Sequence, residues 1–97
     1  MKTQFYYVYI LTTRNNSVTY TGITNNIVRR VAEHKLGKTD GFTKKYNINK
    51  LIYIERYEYV EDAIDREKQI KKYSRAKKLN LINTKNPALK ELNPYDY

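Results

Sequence analysis

The chemistry in this sequence starts with two residues four apart. Arg30 and His34 fall on a segment whose apolar side chains, Ile27, Val28, Val31 and Ala32, make one stripe at about 100° per residue, with Arg29 and Glu33 on the opposite side. Positions four apart stack on one side of a helix. The guanidinium and the imidazole therefore share the edge of the stripe beside Ile27, where a helix leaves its core contact and meets a cleft. Arginine offers a permanently charged planar fork to phosphate oxygens, and histidine can hold or give up a proton near neutral pH. A third group, Glu67, sits at the centre of a second stripe made by Val60, Ala63, Ile64 and Ile70. A carboxylate on a buried face costs several kcal/mol unless a cation meets it; that cation would be a bound metal ion, Arg30 or a neighbouring lysine. Glu61, Asp62 and Asp65 fall elsewhere on the same segment and read as solvated charges.

The elements that must position these groups can be taken in order. Residues 5–12 (FYYVYILT) predict a strand buried on both faces, with Phe5, Tyr7, Tyr9 and Leu11 on one of them. Residues 14–17 supply turn chemistry, and residues 18–22 return as a second strand that closes at Gly22, where the chain can bend or let another backbone approach closely. A connection of two residues, Asn15 and Asn16, makes Tyr9 and Tyr20 diagonal neighbours on one face; a connection of four, from Thr13 to Asn16, sets them directly opposite. Either way two phenols share one spot. Thr24 or Asn25 then caps the first helix. Residues 37–41 read as loop, and residues 42–46 interleave Phe42 and Tyr46 with Lys44 and Lys45, a pattern able to lie on phosphates and bases. Residues 51–57 (LIYIERY) read as a third strand, and residues 61–73 as the second helix. Ser74 breaks or caps it ahead of a third helix held by Leu79 and Ile82; Leu89 and Leu92 tuck against the body, and residues 93–97 are a tail. The predicted class is α+β: a three-stranded antiparallel sheet flanked by helices, in the order β-β-α-β-α-α.

Length and composition bound what such an arrangement can serve. A chain of 97 residues can build one modest core and not two, so residues 1–97 read as a single domain with an ordered core over about 4–92. One histidine and no cysteine exclude disulfides, thiol nucleophiles, thiolate zinc sites and multi-histidine metal sites. The apolar run over residues 5–11 falls far short of the roughly 20 a membrane helix needs, and no signal-peptide pattern precedes it; the expectation is a cytoplasmic protein with no membrane partner, monomeric by default. A net charge of +9 favours a polyanionic partner through counterion release. Residues 66–78 (REKQIKKYSRAKK) carry most of it. Arg29, Lys44, Lys45, Lys68, Lys71, Lys72 and Arg75 are the candidates for tracking a nucleic-acid backbone.

Together these residues resemble the GIY-YIG endonuclease domain over nearly the whole chain. Tyr7-Val8-Tyr9 stands where that family has Gly-Ile-Tyr, and Tyr20-Thr21-Gly22 where it has Tyr-Ile-Gly. Arg30 follows Tyr20 by ten residues and His34 follows by four more, at the family's spacing. Glu67, between Arg66 and Lys68, matches the family's metal-binding glutamate; Asn86 lies where a further asparagine often occurs, with Asn83 near enough to leave that assignment open. Tyr7 and Thr21 depart from the motif at positions that concern packing. The chain looks most like the small stand-alone bacterial branch, which has no attached DNA-binding domain.

The resemblance implies hydrolysis of a phosphodiester, with Glu67 holding one Mg²⁺ or Mn²⁺, Tyr9 as general base, Tyr20 positioning the water or the phenol, Arg30 clamping a phosphate oxygen and His34 donating to the phosphate or to Tyr9. A phenol with its ordinary pKa of about 10 is a weak base at neutral pH, so positive charge must stand near it. The implied partner is nucleic acid, with DNA favoured, cut with little sequence specificity or by structure, in repair or processing, with a protein partner for targeting. Two other readings stay open: a nucleic-acid-binding module without catalysis, and an interaction module whose basic face meets an acidic protein.

Overall fold

The computed structural model describes residues 4–39 and 41–97. β1 (Tyr6–Thr12) is the central strand, with β2 (Thr19–Thr24) on one side and β3 (Lys50–Tyr57) on the other, both antiparallel to it. α1 (Ile27–Lys35) and a short α2 (Gly41–Tyr46) connect β2 to β3; α3 (Val60–Lys71) and α4 (Arg75–Asn83) follow. This is the predicted antiparallel sheet flanked by helices, with one more helix between the second and third strands. Among its described side chains α2 buries only Thr43, so it carries no periodic stripe by which a sequence could announce it.

β1 is apolar on both faces, and its alternation divides the core in two. Tyr7, Tyr9 and Leu11 pack with Ile27 and Val31 of α1, and with Ile48, Leu51 and Ile54. Val8 and Ile10 point the other way, onto Ala63 and Ile70 of α3 and Ile82 of α4. A bulge in β3 serves this division: Ile10 pairs with Tyr53 and Leu11 with Leu51, so Ile52 is the extra residue, and Ile52 and Tyr53 both join the α3 side. α1 thus covers one face of the sheet, and α3 and α4 the other.

Several boundaries differ from the sequence expectation. β2 does not close at Gly22 but pairs through Thr24, so the cap of α1 moves on to Asn26, whose side chain accepts from the Arg29 amide at 3.1 Å. The buried face of α1 is turned toward His34 and away from Ala32, which is exposed. His34 lies seven residues after Ile27, about two helical turns, and so stands over it on the core side. On α3 the buried row runs through Ala63 and Ile70, with Arg66 and Glu67 half-buried between them, while Ile64 is 38% exposed. Ser74 does cap α4, accepting from the Lys77 amide at 3.2 Å.

The chain beyond α4 is fastened rather than loose. The Asn86 side chain donates to the carbonyls of Ile52 and Lys90, each at 2.9 Å, and accepts from the Lys90 amide at 3.1 Å. Leu92 donates its amide to the Leu51 carbonyl and packs on the α1 side of the core. Of the segment expected to be a tail, Pro94–Asp96 forms a 3-10 turn against α1. No helix among the described residues is long and apolar enough to cross a membrane.

Candidate active site

Tyr9 is the centre of the site, and β2 is shaped to admit it. In the observed register Tyr9 stands opposite Gly22, and Tyr20 opposite Leu11, so the two phenols are diagonal neighbours; this is the register of the two-residue connection. The Tyr9 ring crosses the space above Gly22: a β-carbon there would lie 2.5 Å from Tyr9 Cζ and closer still to its hydroxyl oxygen. The glycine is needed for this close approach, which is made by a side chain and not by the second backbone that the sequence suggested.

Laid over Gly22, the phenol meets the helix edge from which Arg30 and His34 project. His34 Nε2 stands 3.3 Å from the Tyr9 hydroxyl, and the Arg30 Nε–H donates to the same oxygen at 3.4 Å. The ring of Tyr20 closes the group, its centroid 6.5 Å from that of Tyr9 and 5.7 Å from that of His34. Tyr9 and His34 are buried, whereas Tyr20 and Arg30 keep part of their surface in solvent. The contact with the Tyr9 oxygen holds the Arg30 guanidinium above its ordinary value against the opposing effect of burial, and Glu33, 3.2 Å away, adds to it. A cation so placed stabilises any negative charge that develops on the phenol oxygen.

Glu67 comes from the other face of the sheet. It belongs to α3, which packs against β1 and β2; its side chain is 14% exposed and its carboxylate is ion-paired to the more exposed Lys71 at 3.0 Å. Of the three cations the sequence left open for Glu67, the structure shows a lysine. The Asn86 side chain is engaged within the fold: both Nδ2 hydrogens and Oδ1 bond at Ile52 and Lys90, clamping the chain's last turn.

A second buried cluster escaped sequence reading. Glu55 on β3 takes a forked ion pair from Arg66, at 2.9 Å to the nearer oxygen, and accepts from the hydroxyls of Tyr53 and Tyr57. Burial pushes the Glu55 carboxyl up, but the hydrogen bonds from Arg66, Tyr53 and Tyr57 outweigh it and hold it below the usual carboxylate range. Burial and the Glu55 carboxylate push the phenol of Tyr57 up to about 12, and that of Tyr53 higher. Arg66 also reaches Gln69 and the Tyr73 hydroxyl, so α3 is bolted to the sheet one residue before Glu67. The signal was present: Tyr53, Glu55 and Tyr57 alternate, so they share a face of the strand.

The basic residues expected to track a backbone divide into two groups. Arg29, Lys44, Lys45, Lys68, Lys71 and Lys72 are exposed. Within that group Lys45 stands over the Tyr46 ring, and Lys68 and Lys72 line an open cleft between α3 and α4 with Tyr73 and Lys77. Arg75 is different. Its guanidinium donates to the carbonyls of Ser17 at 2.8 Å and Asn16 at 3.0 Å, tying α4 to the β1–β2 turn.

The family model described as the GIY-YIG catalytic domain matches residues 5–80, from the strand bearing Tyr9 into the helix after Glu67. A UPF0213 protein of Clostridium perfringens is 41% identical over 87 residues, covering 90% of each chain. A UPF0213 protein of Natronomonas pharaonis is 40% identical over 77 residues, 79% of this chain and 89% of the relative. Among solved structures, the solution NMR structure of a UPF0213 protein from Bacillus halodurans superposes with a TM-score of 0.58 at 31% identity, covering 90% of this chain and 92% of that one.

Proposed function

The chain belongs to the GIY-YIG catalytic-domain family, a nuclease-type family, and from that premise we propose that it is a metal-dependent endonuclease that hydrolyses phosphodiester bonds of DNA. One observation carries the reading: Arg30 and His34 of α1 both meet the hydroxyl oxygen of Tyr9 on β1, whose ring lies over Gly22 and beside the ring of Tyr20 on β2. An aromatic core pair would need neither the guanidinium nor the imidazole.

The donor set fits a sparse oxygen-ligand ion. Among the described residues no group of three or more His, Cys, Asp or Glu side chains gathers as a metal cage. A single half-buried carboxylate, Glu67, suits Mg²⁺ or Mn²⁺, which bind through one or two carboxylates and complete their shell with water and substrate phosphate. When bound, such an ion supplies charge stabilisation at the scissile phosphate and the leaving oxygen.

The chain's own residues do the rest. Tyr9 accepts a proton from the attacking water, and the adjacent Arg30 guanidinium stabilises the oxygen while it is unprotonated. Arg30 also has N–H groups beyond the one given to Tyr9, and these bind a non-bridging phosphate oxygen in a fork. His34 fixes the phenol's orientation through Nε2, and Tyr20, part-exposed beside it, orients the water. The exposed lysines and Arg29 follow the phosphate backbone with little regard to sequence, which fits a role in repair or processing, in the cytoplasm, with a targeting partner to choose the site.

Cleavage of supercoiled plasmid and branched DNA at low salt, with Mg²⁺ or Mn²⁺, tests this in wild type, Glu67→Ala and Tyr9→Phe. Metal-dependent cutting lost in both variants is the expected result. Binding without cutting in all three forms would overturn the nuclease reading in favour of a binding module.

A further inference from the structure

One opening in the surface has no part in the chemistry above. It lies between the β1–β2 turn and α2, an open cleft of about 470 Å³ with Val18 and Tyr46 among its apolar lining and Arg14, Asn15 and Asn47 among its polar groups. That volume is within the range of small-ligand sites. Its floor is continuous with the site: Val18 stands two residues before Tyr20, and both pack against the α1-side core. Two residues along an extended chain span roughly 6–7 Å, so the Val18 edge of the cleft approaches Tyr20.

Tyr46 walls the cleft on the α2 side, and Phe42 stands beside it on the same helix without lining the cleft itself. Phe42 and Tyr46 are 50% and 47% exposed, and their ring centroids are 5.2 Å apart. α2 spends its two largest side chains on the surface and buries Thr43 instead, a poor use of rings in a chain with a small core. Cations stand on both sides of the cleft, on α2 and at the β1–β2 turn. Lys45 Nζ stands 5.4 Å from the Tyr46 ring, Lys44 is exposed on the same helix, Lys50 reaches the turn at Asn16, and Arg14 is braced by Glu91. An apolar, ring-walled cleft with a cationic rim has the complementary chemistry for a nucleobase attached to its phosphates, since bases stack on aromatic faces and the backbone is drawn to positive charge.

We propose that the cleft between the β1–β2 turn and α2 is a pocket for one unpaired nucleobase, stacked on Tyr46 with Phe42 extending the platform, which presents the adjoining backbone to Tyr9 and Tyr20. The proposal rests on the nuclease reading and adds a selection rule to it. A base still paired in a duplex cannot enter, so the preferred substrate carries an unpaired or displaced base beside the bond to be cut.

The test is binding without divalent ions, so that no turnover intervenes, using two duplexes that differ only in one unpaired 2-aminopurine. Wild type is expected to bind the duplex with the unpaired base about tenfold or more tightly, and to quench its fluorescence, as stacking of one base on a ring warrants. Phe42→Ala with Tyr46→Ala is expected to abolish both the preference and the quenching while leaving affinity for the paired duplex unchanged. Both side chains are on the surface, and an unchanged thermal midpoint verifies folding; Tyr46→Phe, which keeps the ring, should retain the preference. Equal affinity of wild type for the two duplexes, or a preference that survives the double substitution, overturns the pocket. The two readings fail separately: cleavage without base preference removes the pocket alone, and base preference without cleavage under any metal removes the nuclease alone.

Discussion

The phenol of Tyr9 occupies the space that a β-carbon at Gly22 would need. The two residues face each other across β1 and β2, and the ring lies over the glycine so that its hydroxyl reaches Arg30 and His34. Gly22→Ala should therefore act on the site before it acts on the fold. The buried ring cannot retreat, so overpacking is expected to cost about 1–3 kcal/mol and to draw the hydroxyl off its partners. On the proposed reading, cleavage falls to the level of Tyr9→Phe in protein that is still folded. A thermal melt run beside a plasmid-nicking assay checks both halves.

The Glu55–Arg66 network predicts how stability responds to pH. Glu55 lies below its ordinary value, so its contribution is complete above the unfolded value of 4.5 and is lost as pH falls through the folded one; Glu91, lowered by Lys35 and Arg14, adds to the same limb. Tyr57 lies above its ordinary value of 10.0, so its contribution is complete below that and is lost as pH rises toward about 12, with Tyr53 following. The thermal midpoint should hold a plateau between these limits and fall on both sides. In Glu55→Gln the acid limb flattens, and at neutral pH the fold loses on the order of 2 kcal/mol, less than for a fully buried pair because both ends keep some solvent.

Asn86→Ala separates a clamp from a catalytic group. The substitution strips partners from the carbonyls of Ile52 and Lys90 and from the Lys90 amide, and should destabilise the protein by about 2 kcal/mol. Activity per folded molecule, measured well below the lowered melting point, should match wild type. A large loss there, with the fold intact by circular dichroism, would instead put Asn86 in the reaction.

The basic residues should divide by salt dependence. Lys68→Ala on α3 and Lys72→Ala at its C-cap, both at exposed positions, should each reduce the slope of log affinity against log salt by roughly 1. Arg75→Ala should leave that slope alone and lower the melting temperature, because its guanidinium is engaged by the turn carbonyls. Titrations of duplex DNA at several ionic strengths decide the matter.

The sheet and the four-membered cluster were legible because they rest on short periodicities. Alternation in β1 places Tyr9 correctly, and the four-residue step from Arg30 to His34 survives any error in the ends of α1. What the sequence leaves open is settled by contacts between distant segments. The choice between opposed and diagonal phenols depends on how a ring crosses a glycine on the next strand. The turning of α1 from Ala32 to His34 follows from a phenol on β1 waiting to receive an imidazole. Arg66 was hidden in a run of cations that looks uniformly solvated, and Glu55 in a strand that looks like plain core; each is explained by the other, 11 residues away. Glu67 showed the reverse: its stripe was misjudged at Ile64 and it is half-buried where the sequence put it in the middle of a buried face, while a lysine was among the cations expected beside it.

The division of the core by β1 has a consequence for the chain as it is made. Arg30 and His34 arrive with the cluster under α1, and Glu67 with the cluster under α3 and α4, on opposite faces of one strand. Neither half holds a full set of reacting groups. A nascent or partly melted molecule, with one core formed and the other open, is on the proposed reading harmless to the nucleic acid around it, and catalytic competence appears only when both halves have closed.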